Sequence, residues 1–232
     1  MTEHPKTTTS ETIVEHVTQA LREAVRKGEF AQGERLVVAD IAQMFGVSVG
    51  PVREAIRKLA GEGILEFTPH RGASVRAYSE RDVRELFQLR EAIEGYAAKL
   101  AAENIHRADY AERLRQCQKR LHEIGPVITQ SAADARQAFH DLLYEIGGNA
   151  AIKEAAMRVT FPANRLVFSQ LMGRPRAEAS LKEHDDMIEA ILAGDALRAE
   201  RSMRAHLRNA AVAVCAVLEE SRGKTPAKRK KV

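Results

Sequence analysis

Tryptophan is absent from the 232 residues, aromatic side chains make up only 5%, and cysteine occurs twice. A core with so few rings must be filled by aliphatic side chains, and a 44% hydrophobic content rich in Ala and Leu suits a helical globular protein. Cys117 and Cys215 are too far apart for a CxxC pair or a disulfide framework, and both fall in helical patterns. They read as reduced core or interface residues. No apolar stretch approaches the ~18 residues needed to span a bilayer, and "MTEHPKTTTSE" lacks the apolar segment of a signal peptide, so a cytoplasmic location is expected. The chain also has no HExxH, no nucleophile elbow and no phosphate loop.

A strong charge of one sign is missing too, although the formal net charge is +4. Six of the 36 Lys and Arg lie in residues 221–232, "SRGKTPAKRKKV", which hold no acid. The remaining 30 basic side chains face 32 acidic ones, leaving residues 1–220 at −2. Net charge therefore gives no argument for nucleic-acid binding by the body of the chain. Residues 222–232 are expected to be a basic, disordered tail, and residues 1–11 a disordered lead.

Local pattern is more informative. Ile13, Val17, Leu21 and Val25 recur at spacing four and predict a helix that Gly28 and Gly33 stop. "VADIAQMF" predicts a short helix, Gly46 a tight turn, and Ser48 an N-cap for a third helix with Val52, Ile56, Leu59 and Ala60 on one face. Arg53, Arg57 and Lys58 occupy the opposite face. Pro51 is tolerated in the first turn, and Gly50 lets another backbone approach there. "ILEF" and "ASVRAY" then read as two strands around the turn "TPHRG". Helix, helix, turn, helix, hairpin is a winged helix-turn-helix, whose second short helix enters the DNA major groove while the wing follows the backbone. Arg53 and Arg57, like charges one turn apart, are then expected to face phosphates and bases.

The run "GERLVVADIAQMFGVSVGPVREAIRKLAGEGILEFTPHRGASV" resembles the DNA-binding half of GntR-type bacterial transcription regulators, over residues 12–78. The resemblance implies DNA contacts by Arg35, Ser48, Val49, Gly50, Pro51, Arg53 and Arg57 and by the wing residues His70, Arg71 and Gly72. Where that pattern commonly has Arg directly after "VS", this chain has Val49.

Ser79 and Asp82 form an S-x-x-D capping box, and from there to Leu218 only helical patterns occur. They predict an all-α domain over residues 79–221 with six or seven helices, near 80–105, 109–124, 127–147, 150–160, 162–172, 176–193 and 195–221. The fold class is thus mainly α, with one small hairpin. His184 shares a stripe with Met187, Ile188 and Ile191, and His206 with Met203, Ala210 and Val214; His140 follows Phe139 on a third helix. Three inward histidines on three helices can be hydrogen-bonded core residues or can converge on one divalent ion. Arg90 lies with Leu86, Ile93 and Ala97, facing either the same cavity or Glu94. His4, His16, His106 and His122 read as surface residues.

"LFQLREAIEGYAAKLAA", "FHDLLYEIGGNAAI", "EHDDMIEAI" and "MRAHL" resemble the helical effector domain of the FadR branch of the GntR family. That branch senses small metabolites, often organic acids, and acts as a dimer on palindromic operators. The resemblance implies a divalent ion, Zn or Ni, on His140, His184 and His206, joined by an Asp one turn before the first; here that position is Arg136. An effector site of Arg90, Arg136, His140, His184 and His206 is expected, taking a small carboxylate. The expected function is a ligand-responsive DNA-binding regulator, a repressor. The competing readings are a metal-dependent hydrolase built on the three histidines and a DNA-binding protein that answers to no ligand.

Overall fold

The computed structural model describes residues 10–26, 29–68, 72–159 and 173–223, and the chain divides into two compact units, before and after the Tyr78–Ser79 bond. The first holds α1 (Ser10–Arg26), β1 (Arg35–Leu36), α2 (Val38–Phe45), α3 (Val49–Gly61), β2 (Leu65–Thr68) and β3 (Gly72–Val75). Helix α1 begins inside the expected lead, at Ser10; residues 1–9 lie outside the described residues.

The period-four apolar stripe of α1 buries Val17 and Leu21 against α3, whose own stripe buries Val52, Ile56 and Leu59. Arg22 fastens this contact through Nη2, which donates to both Glu62 oxygens at 2.8 Å. Between α2 and α3 the chain reverses at Gly46, where φ is +64°, and the Val47 N–H donates to the Ala42 carbonyl at 3.0 Å. A left-handed residue ends a helix with least strain when it is glycine. Ser48 occupies the N-cap position of α3 in extended conformation, but its side chain makes no capping hydrogen bond, contrary to its expected role. The hydroxyl is exposed instead.

The expected hairpin is the larger part of a three-stranded antiparallel sheet in the order β1-β3-β2. Leu65 pairs with Val75 and Thr68 with Gly72, while Arg35 and Leu36 pair with Ser74 and Ala73. Alternation sends Ala73 and Val75 into the core, where Leu36 joins them. A strand of two residues is too short to leave a periodic signal, so β1 was not visible in the sequence.

The second unit comprises α4 (Glu80–Asn104), α5 (Tyr110–Ile124), α6 (Gln130–Gly147), α7 (Ala150–Val159), α8 (Gly173–Leu192) and α9 (Ala196–Gly223). The expected helix at 162–172 lies outside the described residues, as does the tail beyond Gly223. The capping box of α4 forms as expected: Ser79 Oγ accepts from the Asp82 N–H at 3.1 Å, and Asp82 accepts from the Ser79 N–H at 2.8 Å. Helix α9 runs along α4, and small side chains line the helical core: Ala97, Ala98, Ala101 and Ala102 on α4 and Ala199 on α9 are all buried, with Ala97 packed against Tyr144 and Ala156. Gly95 belongs to this seam, since a Cβ there would sit 2.8 Å from Arg204 Cγ. Packing of this kind explains how the chain manages with so few rings. Phe87, Phe139, Leu114, Leu143, Met187 and Ile188 fill the remaining core. No described helix is long and apolar enough to cross a membrane.

The first unit depends on Leu59, which is fully buried. Leu59→Ala is expected to cost about 2–5 kcal/mol, by lost transfer energy and a cavity. Urea denaturation followed by circular dichroism measures this, and a loss below about 1 kcal/mol would show that Leu59 does not anchor α3.

Candidate functional site

The apolar stripes on α8 and α9 carry His184 and His206 into the second unit's core, and α6 brings His140 to the same place; none is more than 7% exposed. Phe139 packs edge-on against His140 and His184, with ring centroids 5.4 and 5.0 Å away. The imidazole centroids of His184 and His206 are 4.7 Å apart, and His140 is 6.0 and 6.3 Å from them. One ring nitrogen of each histidine lies within 4.8 Å of the other two.

A second layer determines which nitrogen that is. Nδ1 of His140 stands 2.7 Å from Glu94 Oε2, and Nδ1 of His206 stands 2.7 Å from Glu183 Oε2. Nδ1 of His184 donates to the Ser180 carbonyl at 2.6 Å. Hydrogen bonding at Nδ1 leaves Nε2 of His184 and of His206 for ligation, and that of His184 is buried with no hydrogen-bond partner among the described residues; Nδ1 of His140 is in close contact with Glu94 but outside hydrogen-bond geometry. Imidazoles oriented by carboxylates and carbonyls are the usual outer layer of a metal site. The two carboxylates are themselves held. Glu94, fully buried, accepts from Arg90 Nε at 2.7 Å; Glu183 accepts from Arg176 Nη1 at 2.9 Å and from Asn209 at 2.8 Å.

The electrostatics agree with neutral ligands. Burial first, then the neighbouring His206 and His140, and lastly the Arg136 charge hold His184 well below the usual histidine range against the opposing Ser180 carbonyl. Burial also lowers His206, although its hydrogen bond and charge contact with Glu183 oppose the shift. Burial alone would raise Glu183, but hydrogen bonds from His206, Arg176 and Asn209 outweigh it and bring the carboxyl down to about 2.

His140, His184 and His206 line a cavity of about 80 Å³, with Phe87, Ile128 and Leu207 among its apolar walls. All five expected effector residues, Arg90, Arg136, His140, His184 and His206, border it. The choice left open for Arg90 resolves both ways, since it pairs with Glu94 and also borders the cavity. Arg136 is half-buried and makes no hydrogen bond or ion pair among the described residues; burial alone depresses its guanidinium. The donor set therefore fits a divalent ion, while the residue one turn before His140 supplies a positive charge rather than a fourth ligand. Sequence reasoning missed Arg176, Ser180 and Glu183. Arg176 and Glu183 are two helical turns apart on one face of α8, the only signal available.

On the first unit, Arg35, Arg53, Arg57 and Gly72 border one groove, together with the exposed Phe67 and Val37. Ser48, Val49 and Gly50 are exposed at the start of α3 and Pro51 is half-buried, but none of the four borders that groove. Arg53 is exposed and forms no ion pair among the described residues, whereas Arg57 contacts Glu54 at 3.3 Å, a partner the sequence reading had not assigned. Like-charge repulsion between Arg53 and Arg57 is thereby relieved within the helix. His70 and Arg71 lie outside the described residues.

The profile of the bacterial regulatory proteins of the gntR family matches residues 13–75, and that of the FCD domain matches residues 85–209. The chain is 30% identical over 207 residues to the uncharacterized HTH-type transcriptional regulator YdhC of Bacillus subtilis (strain 168), spanning 87% of this chain and 91% of that one. It is 26% identical over 225 residues to the HTH-type transcriptional repressor RspR of Escherichia coli (strain K12), spanning 95% and 97%. A solved GntR regulator from Rhodococcus sp. RHA1 superposes with a TM-score of 0.65 at 26% identity, over 88% of this chain and 97% of its own. These relatives are transcriptional regulators, and the hydrolase reading finds no counterpart among them.

Buried histidines of lowered pKa make the metal-free fold sensitive to acid. The unfolded chain takes up protons near the ordinary histidine pKa of about 6.5, which folded His184 and His206 resist. Their contribution is complete above that pH and declines as pH falls below it, the groups in play being His140, Arg136, Arg90, Arg176 and Glu183 around them. The Glu183 contribution is complete above its unfolded value of about 4.5 and is lost as pH falls toward 2. Chelator-treated protein should therefore melt at progressively lower temperature from pH 7.5 to 5.5, and His184→Gln should flatten that slope. A flat wild-type profile would contradict the burial of neutral imidazoles.

Proposed function

Because the chain belongs to the GntR family of bacterial regulatory proteins and carries an FCD domain, we propose that it is a cytoplasmic transcriptional repressor whose hold on DNA is set by a small carboxylate metabolite. Regulation of transcription through DNA binding follows from the family. The effector reading rests on Arg136, a half-buried guanidinium without an ion pair among the described residues, in a cavity whose other two guanidinium groups, Arg90 and Arg176, are each paired with an acid. A fixed fork of N–H donors in a low-dielectric site pairs best with a planar anion such as a carboxylate. His140, His184 and His206 would hold one divalent ion, Zn or Ni, which when bound supplies positive charge to the effector's oxygens.

On DNA, α3 enters the major groove with Ser48, Val49, Gly50 and Pro51 leading, and Arg53 meets base edges or phosphates. Arg35, Arg57 and Gly72 border the adjoining groove, and His70 and Arg71 are proposed as further DNA contacts. One recognition helix reads only a few base pairs, so the functional unit is a homodimer on an inverted repeat, each copy docking on one half-site. Val49 offers no hydrogen bond, and its apolar side chain suits contact with a thymine methyl group.

Selection from a random duplex pool is expected to return an inverted repeat. Affinity for the selected duplex should fall steeply with salt, by about 0.9 log units per neutralised phosphate for each log unit of salt. Arg53→Ala should weaken binding by about 1–3 kcal/mol. Failure to enrich any duplex, or unchanged affinity in a correctly folded Arg53→Ala, would refute this interface. Thermal-shift screening of organic acids, sugar acids and acyl-CoA thioesters, with and without Zn²⁺, then identifies the effector, since a ligand of the native state raises its melting temperature.

A further inference from the structure

Three guanidinium groups border the cavity, and two of them are neutralised where they stand: Arg90 by Glu94 and Arg176 by Glu183. The third, Arg136, has no acid among the described residues, and its charge reaches His184, the histidine whose buried Nε2 has no partner there. The cavity thus carries one uncompensated positive charge beside a cluster of donors suited to a divalent cation. A metal ion entering alone meets that charge across a low-dielectric space, where repulsion is weakly screened. An anion entering alone gains Arg136 but meets imidazoles held neutral.

We propose that Arg136 makes the site a two-input sensor, in which a divalent metal ion and a monocarboxylate effector each bind weakly alone and strengthen one another when both are present. The inference rests on reading this cavity as the effector site and adds to it a rule for occupancy. An anion placed in the cavity is attracted by ion and guanidinium together and removes the repulsion between them. Coupling of this kind is reciprocal: the factor by which the anion raises metal affinity is the factor by which the metal raises anion affinity. Metal and metabolite are then read jointly, and neither signal suffices. An Asp at position 136 would reverse the logic, holding the ion tightly without an effector and competing with an incoming carboxylate.

Tag-free protein titrated with Co²⁺ tests this, because the visible absorption of the ion reports both its binding and its ligand set. Propionate serves as the monocarboxylate probe and propionamide as its uncharged counterpart. Propionate is expected to raise Co²⁺ affinity by roughly 5- to 150-fold, the usual span of coupling between two sites, and to shift the absorption bands; propionamide should do neither. Arg136→Met should bind Co²⁺ alone more tightly than the unmutated chain and lose the response to propionate, while Arg136→Lys keeps the charge and part of the response. Circular dichroism confirms that both variants fold. Tight Co²⁺ binding that propionate leaves unchanged would overturn the coupling while preserving the metal site. Absence of Co²⁺ bands with and without propionate would overturn the metal reading itself and the coupling with it.

Discussion

Two carboxylates, the buried Glu94 and the half-buried Glu183, hold the helical unit's site together. Each lies between an arginine and a histidine: Glu94 between Arg90 and His140, Glu183 between Arg176 and His206. Burying a carboxylate is costly unless it is paired and hydrogen-bonded, and these are both. Glu183 hydrogen-bonds Nδ1 of His206, leaving its Nε2 for ligation, and Glu94 lies 2.7 Å from Nδ1 of His140. Remove one carboxylate and a buried guanidinium loses its partner while an imidazole loses its orientation. Core stability and ligand geometry therefore depend on the same contacts. The helix packing serves this arrangement: α9 runs along α4, while α6 and α8 complete the walls from which the donors project.

The two units handle charge in opposite ways. Around the helical unit's cavity, Glu94 offsets Arg90 and Glu183 offsets Arg176, while the half-buried Arg136 has no acid partner among the described residues. In the winged unit, Arg35, Arg53 and Arg57 are exposed around a groove, and the weak contact of Arg57 with Glu54 is the kind of surface pair that DNA phosphates displace readily. A near-neutral body with a local basic groove binds DNA through geometry. In the proposed homodimer, affinity would depend on how the two recognition helices are spaced, and that spacing is what the proposed effector would alter.

Much of this was legible in the sequence because it depends on short-range periodicity. The α3 stripe of Val52, Ile56 and Leu59, the capping box of Ser79 and Asp82, and the inward turn of His184 and His206 all follow from one helix at a time. Convergence of the three histidines does not, since spacing on separate helices leaves their mutual distance free; the structure brings one nitrogen of each within 4.8 Å. Strand β1 was hidden because two residues carry no period. Arg176 and Glu183 carry no signal of their own in the sequence beyond a shared helix face, and only their packing against His206 on α9 reveals them as part of the site. Ser48 shows the opposite error: a good capping residue by type, it stands at the N-cap without using its side chain, which leaves the hydroxyl available to a phosphate.

The central claim is that the outer layer presets the imidazoles as neutral ligands with Nε2 bare. Long-range proton–nitrogen NMR of metal-free protein with isotope-labelled imidazoles measures this directly, His184→Gln and His206→Gln supplying the assignments. At neutral pH, His184 and His206 should both appear as neutral rings protonated at Nδ1 and unprotonated at Nε2. A proton on Nε2 of either ring, alone or as the charged imidazolium, would contradict the account.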